Sequence, residues 1–156
     1  MSEDMPLHYW EDLEVGKEET SPGRTITEVD IQGFAALSGD YNEIHTNEDF
    51  ASKGPFKTRI AHGLLGLAIT SGLKYRTRLL LSTQRNTVGF LGLNWSIRGA
   101  IKPGDTIYAK VRVASKRETK DPSRGLVVFK LETLNQRREL VQEAEATFVI
   151  LRKPAS

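Results

Sequence analysis

The apolar positions change their spacing near the middle of the chain. Within residues 27–39 and 61–73 they recur every three or four residues, which is the period of an α-helix. Thr27 is placed to cap a first helix, Asp30 to return a capping bond, and Gly39 to end the helix in a left-handed conformation. The predicted buried face of this helix consists of Ile31, Phe34, Ala35 and Ser38.

The most apolar segment, IAHGLLGLAITSGL, predicts a second helix. Small residues on its other face would let another backbone approach closely, so we expect a helix that is surrounded by protein. The connection before it, residues 40–57, is predicted to be irregular, with a short helical turn at residues 48–53. The apolar stripe of the helix consists of Ala61, Leu64, Leu65, Ala68, Ile69, Gly72 and Leu73, and the small-residue face of Gly63, Gly66 and Thr70.

After Leu81 the period changes to two, which is typical of β-strands. The connections are mostly short, including the turn signal at residues 102–105, so the strands are expected to form an antiparallel sheet. Helices first and strands last indicate an α+β fold, with a curled sheet around the apolar helix. The alternation predicts four strands, at residues 91–97, 107–113, 127–133 and 144–150.

The composition is that of a globular chain with one core. The 156 residues suit a single domain over residues 1–156, with residues 1–16 as an N-terminal lead-in. A net charge of +2 gives no general polyanion field, so no nucleic-acid partner is expected. The chain has no cysteine, a polar, acidic N-terminus and no apolar run near ~20 residues. These features predict a cytoplasmic protein without a membrane span.

The segment SGDYNEIH places a carboxylate and an imidazole just past the first predicted helix. Asp40 and His45 have the side-chain types used in general acid–base chemistry, because imidazoles titrate near neutral pH. Asn42 can hydrogen-bond nearby backbone. The spacing alone leaves two alternatives open, an acid–base pair or a polar turn beside a partly exposed histidine.

His62 and Gly63 stand near the start of the apolar helix, where free backbone N–H groups can stabilise an oxyanion. Glycine leaves room for a carbonyl oxygen at the Gly63 N–H, whereas the His62 side chain is equally explained as a hydrogen-bonded residue at a helix terminus. Together with Asp40 and His45, His62 could bind a metal ion. No pair has the i, i+4 spacing of a zinc-binding helix and cysteine is absent, so no metal is expected.

Two further groups of polar residues accompany the apolar helix. Ser71 lacks the G-x-S-x-G surroundings of a hydrolase nucleophile and is equally explained by a bond to its own helix. The basic residues at both ends of the helix are either solvated or available to phosphates of a carrier such as coenzyme A, or to an acidic carrier protein. They are Lys53, Lys57, Arg59, Lys74, Arg76 and Arg78.

The segments FAALSGDYNEIHTNEDFA and RIAHGLLGLAITSGL, with YWEDLEVGKE and IKPGDTIYAKV, resemble the MaoC-like hydratase/dehydratase family, which includes (R)-specific enoyl-CoA hydratases. The resemblance implies a hot-dog fold and a homodimer with its two sheets joined edge to edge. It implies that Asp40 and His45 flank a water molecule and that the Gly63 N–H binds the thioester oxygen. Asn42 and Ser71 match supporting positions of the family, and we group His62 with them.

The expected activity is therefore reversible hydration of trans-2-enoyl thioesters to 3-hydroxyacyl thioesters. Coenzyme A or an acyl carrier protein would carry the substrate, and no other cofactor is expected. Glu43 departs from the family pattern, which usually has proline there; the two alternatives are a less restricted loop and an added negative charge near the pocket. The alternatives are a hot-dog thioesterase, although residues 60–73 contain no acidic residue, and a non-catalytic acyl-binding domain.

Overall fold

The computed structural model describes residues 6–154, so the first five residues of the predicted lead-in and the last two of the predicted domain lie outside it. Short 3₁₀ turns occur at Trp10–Asp12, Lys74–Arg76 and Gln84–Asn86. The helices are α1 (Glu28–Ser38), α2 (Glu43–Thr46), α3 (Glu48–Lys53), α4 (Gly63–Leu73) and α5 (Arg78–Leu81). The strands are β1 (Glu18–Thr20), β2 (Arg24–Thr25), β3 (Thr87–Ile97), β4 (Thr106–Glu118), β5 (Arg124–Leu134) and β6 (Leu140–Leu151).

The strands form one antiparallel sheet in the order β1-β4-β5-β6-β3, with β2 also paired to β4. This arrangement confirms the predicted α+β fold, although the pattern predicted four strands and the described part of the chain has six. β3 and β4 follow one another in sequence but do not pair, because β3 lies beside β6 at the sheet edge. The turn at residues 102–105 is therefore not a hairpin.

β4 and β5 extend into the segment KRETKDPSRG, which the sequence predicts to be a polar loop. Only residues 119–123 lie between the two strands, because Lys116, Arg117 and Glu118 pair with residues 127, 126 and 125. Charged side chains on the open face of a sheet satisfy the strand pattern as well as apolar ones do. The predicted loop is therefore too long, because the polar residues at its two ends belong to β4 and β5.

The sheet buries alternate side chains of its three inner strands. β4 and β5 alternate almost perfectly between buried and more exposed positions, as expected when one face of a sheet packs on a core. Residues of α5 and the lead-in complete this cluster. Its fully buried members include Leu13, Leu80, Val111, Val113, Val127, Phe129 and Ile150.

The lead-in docks on the sheet through Trp10. Its indole Nε1 donates a hydrogen bond to the backbone oxygen of Leu126 at 2.9 Å. The ring lies where a side chain at Gly125 would project, so only glycine permits this close approach. The cations of Lys116 and Arg152 lie 4.2 and 4.9 Å from the indole centroid.

The first helix forms as its local sequence predicts. The Thr27 hydroxyl accepts a hydrogen bond from the Asp30 N–H at 3.3 Å, and the Asp30 carboxylate accepts one from the Thr27 N–H at 2.8 Å. Gly39 ends the helix with φ 78°, in the left-handed region. Of the predicted face, Ile31 and Ala35 are buried, whereas the other two members are more exposed.

The central helix α4 packs on the sheet through a face that differs from the predicted one. Leu64 is 57% exposed, and Ala68 and Gly72 are also exposed, so the expectation of a helix surrounded by protein is wrong for a single chain. A helix that is apolar on all sides does not reveal by its pattern which side meets the sheet. The residues that do face it are Leu65, Gly66, Ile69, Thr70 and Leu73.

Candidate active site

The segment between α1 and α4 folds back on itself and carries His45 on a helix. The sequence predicts an irregular connection here, but residues 43–46 form α2, with the Asn42 side chain capping it by accepting a bond from the Ile44 N–H at 3.1 Å. The Asn42 N–H donates to the Asp40 carboxylate at 3.2 Å. The Ile60 N–H donates to the Ile44 oxygen at 3.2 Å, which joins α2 to the segment that precedes α4.

A hydrogen bond to backbone determines the tautomer of His45. The Nδ1 atom lies 2.7 Å from the Ile60 carbonyl oxygen, which can only accept. Nδ1 therefore carries the hydrogen, and in the neutral ring Nε2 presents a free lone pair. A histidine oriented in this way can take a proton from a water molecule through Nε2.

His62 links the other two elements of the site. It is only 3% exposed, and its Nε2 donates to the backbone oxygen of Asp40 at 2.9 Å. Its ring stacks on that of His45, with centroids 3.8 Å apart and planes at 28°. The Phe34 ring packs on it from α1 at 5.0 Å. The Nδ1 atom of His62 is buried and has no hydrogen-bond partner among residues 6–154.

The side chains of Asp40, His45 and His62 form one cluster. Ligand atoms of the three residues lie within 4.8 Å of one another, with Asp40 exposed and His62 buried. Imidazole lone pairs lie in the ring planes, and these two stacked planes are inclined by only 28°. Stacked rings are a poor arrangement for two imidazoles that must bind one ion at about 2.1 Å each. The arrangement suits a hydrogen-bonded water molecule better than a metal.

Gly63 places a free backbone donor beside this cluster. It is the first residue of α4 and directly follows His62, and its N–H has no hydrogen-bond partner in the described part of the chain. A Cβ at this position would lie 2.5 Å from Cδ1 of Ile97 and 3.2 Å from the Trp95 ring. A side chain here would therefore displace the Ile97 side chain on β3, and the helix dipole adds positive potential at the Gly63 N–H.

Arg59 connects the segment that precedes α4 to both α1 and α3. Its guanidinium donates two hydrogen bonds to Glu28 at the start of α1, each 2.8 Å, and its Nε donates to Glu48 at the start of α3 at 2.8 Å. These bonds hold the pKa of the Glu48 carboxyl below its usual range. Arg59 is thus engaged in ion pairs, which argues against its availability to a carrier phosphate.

Ser71 and Glu43 lie apart from the cluster. Ser71 is exposed on α4, eight residues beyond Gly63 and hence about 12 Å along the helix axis, and none of the described hydrogen bonds joins it to the site. Its supporting role stays a prediction. Glu43 opens α2 and accepts a bond from the Asn47 side chain at 2.9 Å, so its carboxylate is exposed and engaged locally.

Gln142 and Trp95 contact the start of α4, although the sequence did not single them out as site residues. The Gln142 Nε2 donates to the Gly63 oxygen at 2.9 Å, and the Trp95 Nε1 donates to the Gln142 Oε1 at 3.4 Å. The available signal was a polar residue in phase with the apolar series of the last strand, because Gln142 stands two positions before Ala144 and points to the same side of the sheet.

A sheet packed on one central helix, with a carboxylate and an imidazole clustered at the amino end of that helix, defines a hot-dog domain with a candidate active site. Residues 14–133 match the family model described as MaoC like domain. The chain belongs to this family.

Several relatives have names that state an activity, among them hydratases and dehydratases. The chain is 36% identical to an (R)-specific enoyl-CoA hydratase of Rhodospirillum rubrum over 151 residues, which cover 96% of each protein. It is also 36% identical to a 3-hydroxybutyryl-CoA dehydratase of Methylorubrum extorquens over 116 residues, covering 73% of this chain and 69% of that protein.

Solved structures agree with the fold. A MaoC-like dehydratase from Rhodospirillum rubrum superposes with a TM-score of 0.84 at 30% identity, covering 95% of this chain and 99% of that one. A Mycobacterium tuberculosis protein described as a double hot-dog fold superposes with a TM-score of 0.77 at 19% identity, over 96% of this chain and 46% of that one. The second likeness concerns the fold alone. Within residues 6–154, no helix has the length and apolar character required to cross a membrane.

Proposed function

We propose that this protein is a hydro-lyase that reversibly hydrates trans-2-enoyl thioesters to 3-hydroxyacyl thioesters. The names of the two relatives support this reaction. The observation that carries the proposal is the meeting of Asp40 with His45, whose Nε2 is free, at the start of α4, where His62 stacks on His45 and precedes Gly63.

In the hydration direction, Asp40 accepts a hydrogen bond from the attacking water, and His45 Nε2 removes the other proton as the water oxygen bonds to C3. The double-bond electrons move toward the thioester carbonyl, and its developing enolate oxygen accepts a hydrogen bond from Gly63 N–H. The protonated His45 then returns its proton to C2 on the same face. The net addition is one water molecule, and each step reverses in dehydration.

The reaction requires a thioester carrier, coenzyme A or an acyl carrier protein, and no redox cofactor. Water addition involves no electron transfer, and a carboxylate with an imidazole suffices for its proton transfers. Because the rings of His45 and His62 are stacked, which is a poor arrangement for binding one ion, we include no metal in the mechanism. A cytoplasmic location stays a prediction from the sequence.

We further propose that two copies pair through β3. This edge strand exposes a row of large apolar side chains, and sheet edges of this kind are normally covered. Ile97, one of them, also packs against Gly63, so the site adjoins this edge. Sedimentation should give a dimer, and Leu91→Lys should weaken it; a wild-type monomer would contradict the pairing. The exposed residues are Val88, Phe90, Leu91, Leu93 and Ile97.

The activity is tested by the loss of enoyl ultraviolet absorbance when crotonyl-CoA and longer enoyl-CoAs are added. Asp40→Asn and His45→Gln should each lower kcat by about 100- to 10,000-fold because each removes a proton-transfer group. His8→Gln is the matched control, since His8 lies on the lead-in and bonds Ser82 at 2.9 Å. Normal turnover by both site variants would refute the assignment.

The same assay separates the alternatives. Release of free thiol from saturated acyl-CoAs would indicate a thioesterase. Thermal stabilisation by acyl thioesters without turnover of any enoyl substrate would indicate a binding domain.

A further inference from the structure

A buried carboxamide lies between the edge of the sheet and the start of the central helix. Gln142 on β6 is 2% exposed, and its Nε2 donates to the Gly63 oxygen at 2.9 Å. Gly66, one turn further along α4, leaves room for the Gln142 carboxamide, because a Cβ at Gly66 would lie 2.5 Å from that Nε2. A buried polar side chain is costly unless it is hydrogen-bonded, so this glutamine is held where both ends of its amide have partners.

The two partners determine the orientation of the amide. The Gly63 oxygen can only accept a hydrogen bond, and the Trp95 Nε1–H can only donate. The Gln142 Nε2 must therefore face the helix, and its Oε1 must face Trp95, at 3.4 Å. The resulting chain runs from β3 through β6 to the first residue of α4.

This chain anchors Gly63 from one side, and the histidines anchor it from the other. His62 precedes it and is held by its bond to the Asp40 oxygen. Gln142 holds the carbonyl of Gly63 itself, and the side chains of Trp95 and Ile97 lie against its α-carbon. The Gly63 N–H belongs to the peptide plane before its α-carbon and the Gly63 oxygen to the plane after it, and rotation about φ and ψ separates the two. With His62 holding the first plane and Gln142 the second, both dihedrals of Gly63 are restricted, and so is the direction of its N–H.

We propose that Gln142 is a positioning residue whose carboxamide, held by Trp95, directs the Gly63 N–H at the thioester oxygen. The inference rests on the proposed function, since only a substrate oxygen gives that N–H a task. Because Trp95 lies on the edge strand β3, the same chain connects the proposed dimer edge to the site.

The test uses Gln142→Met, which keeps the approximate length and volume but removes both polar atoms. Its matched control is Gln32→Met, because Gln32 is an exposed glutamine on α1. The probe is 4-dimethylaminocinnamoyl-CoA, a conjugated enoyl thioester whose absorption moves to longer wavelength when a donor polarises its carbonyl oxygen. Thermal unfolding is followed in parallel.

The wild type and Gln32→Met should bind the probe with the same shift to longer wavelength. Gln142→Met should bind it with a smaller shift, and its kcat for crotonyl-CoA should fall by about 10- to 100-fold with little change in KM. If Gln142→Met shows the same spectral shift as the wild type, the inference is overturned. This holds whether the activity of the variant is normal or falls only in proportion to its lost stability.

Failure of the proposed function gives a different result. In that case the wild type itself shows neither the spectral shift nor turnover. If Gln142→Met does not fold, Trp95→Phe decides, because it removes the Nε1 donor that holds the Gln142 Oε1, together with the outer ring atoms that lie against Gly63. A reduced shift supports the inference, and a wild-type shift overturns it.

Discussion

The two ends of the central helix bury nitrogen-bearing side chains in different ways. At the amino end, His62 bonds a backbone oxygen and stacks on His45. At the carboxyl end, Lys74 is 5% exposed, and its Nζ lies 5.0 and 4.6 Å from the ring centroids of Tyr75 and Phe148. No described hydrogen bond or ion pair reaches that Nζ. The amino end holds the groups of the proposed acid–base site, whereas the carboxyl end holds the Lys74 cation at a cost in stability.

Of the changes that compare the two ends of the helix, deleting the Gly63 N–H at the amino end is expected to have the largest effect. Gly63→Pro removes this donor at the first helical position, where proline is favoured, and the extended backbone of His62 tolerates a following proline. Turnover of crotonyl-CoA should fall by about 100- to 1,000-fold relative to Gly63→Ala.

Gly63→Ala is the matched control because it adds the Cβ that meets Ile97 but keeps the N–H. Equal rates for the two variants would exclude a role for the N–H. A loss in both would then reflect crowding against β3 alone.

At the other end, Lys74→Met should stabilise the protein. Burial lowers the pKa of Lys74 from 10.5 to about 8, which corresponds to about 3 kcal/mol of unfavourable free energy for the charged form. The gain should be largest below about pH 8, where the amine is charged in both the folded and unfolded states. Urea unfolding at pH 7 measures this gain in the free energy of unfolding. The activity of Lys74→Met should equal that of the wild type.

The pH dependence sharpens the same test. Between about pH 8 and 10.5 the unfolded chain keeps the Lys74 proton and the folded chain releases it, so wild-type stability gains from rising pH in this window. The stability difference between Lys74→Met and the wild type should shrink as pH rises through the window. A difference that stays constant would show that burial of this amine is not its cause.

A smaller effect is expected from replacing Arg59, which connects the segment before the amino end of α4 to α1 and α3. Arg59→Met should lower the free energy of unfolding by about 1 kcal/mol or less, because its two acidic partners are about half exposed. It should also reduce kcat several-fold, since the next residue, Ile60, orients His45.

Lys53→Met is the control for Arg59. Lys53 forms an exposed ion pair with Asp49 within α3 and makes no tie to α1. If both variants behave alike in crotonyl-CoA hydration and in urea unfolding, the three-way connection at Arg59 has no special role.

No effect is expected from removing metal ions. Dialysis of the protein against EDTA should leave crotonyl-CoA hydration unchanged, because the proposed proton transfers involve only Asp40 and His45. Lost activity that returns with added Zn²⁺ would contradict this and would make His62 a candidate ligand.

Several elements were predictable because their causes are local. Thr27 and Asp30 cap α1 through neighbouring backbone, Gly39 ends it, and α3 spans residues 48–53 as predicted. By contrast, α2 was missed because four residues cannot sustain a helix alone. It forms in contact with the approach to α4, through the bond between the Ile60 N–H and the Ile44 oxygen.

The sequence by itself determined the α+β class, the first helix, and the residues Asp40, His45 and Gly63 that mark the family, because these follow from periodicity, capping and motif. Only the tertiary structure decided which nitrogen of each histidine carries hydrogen, which face of α4 meets the sheet, and that Gln142 reaches Gly63. These outcomes depend on partners 15 to 79 residues away along the chain. Spacing within a segment carries no information about such partners.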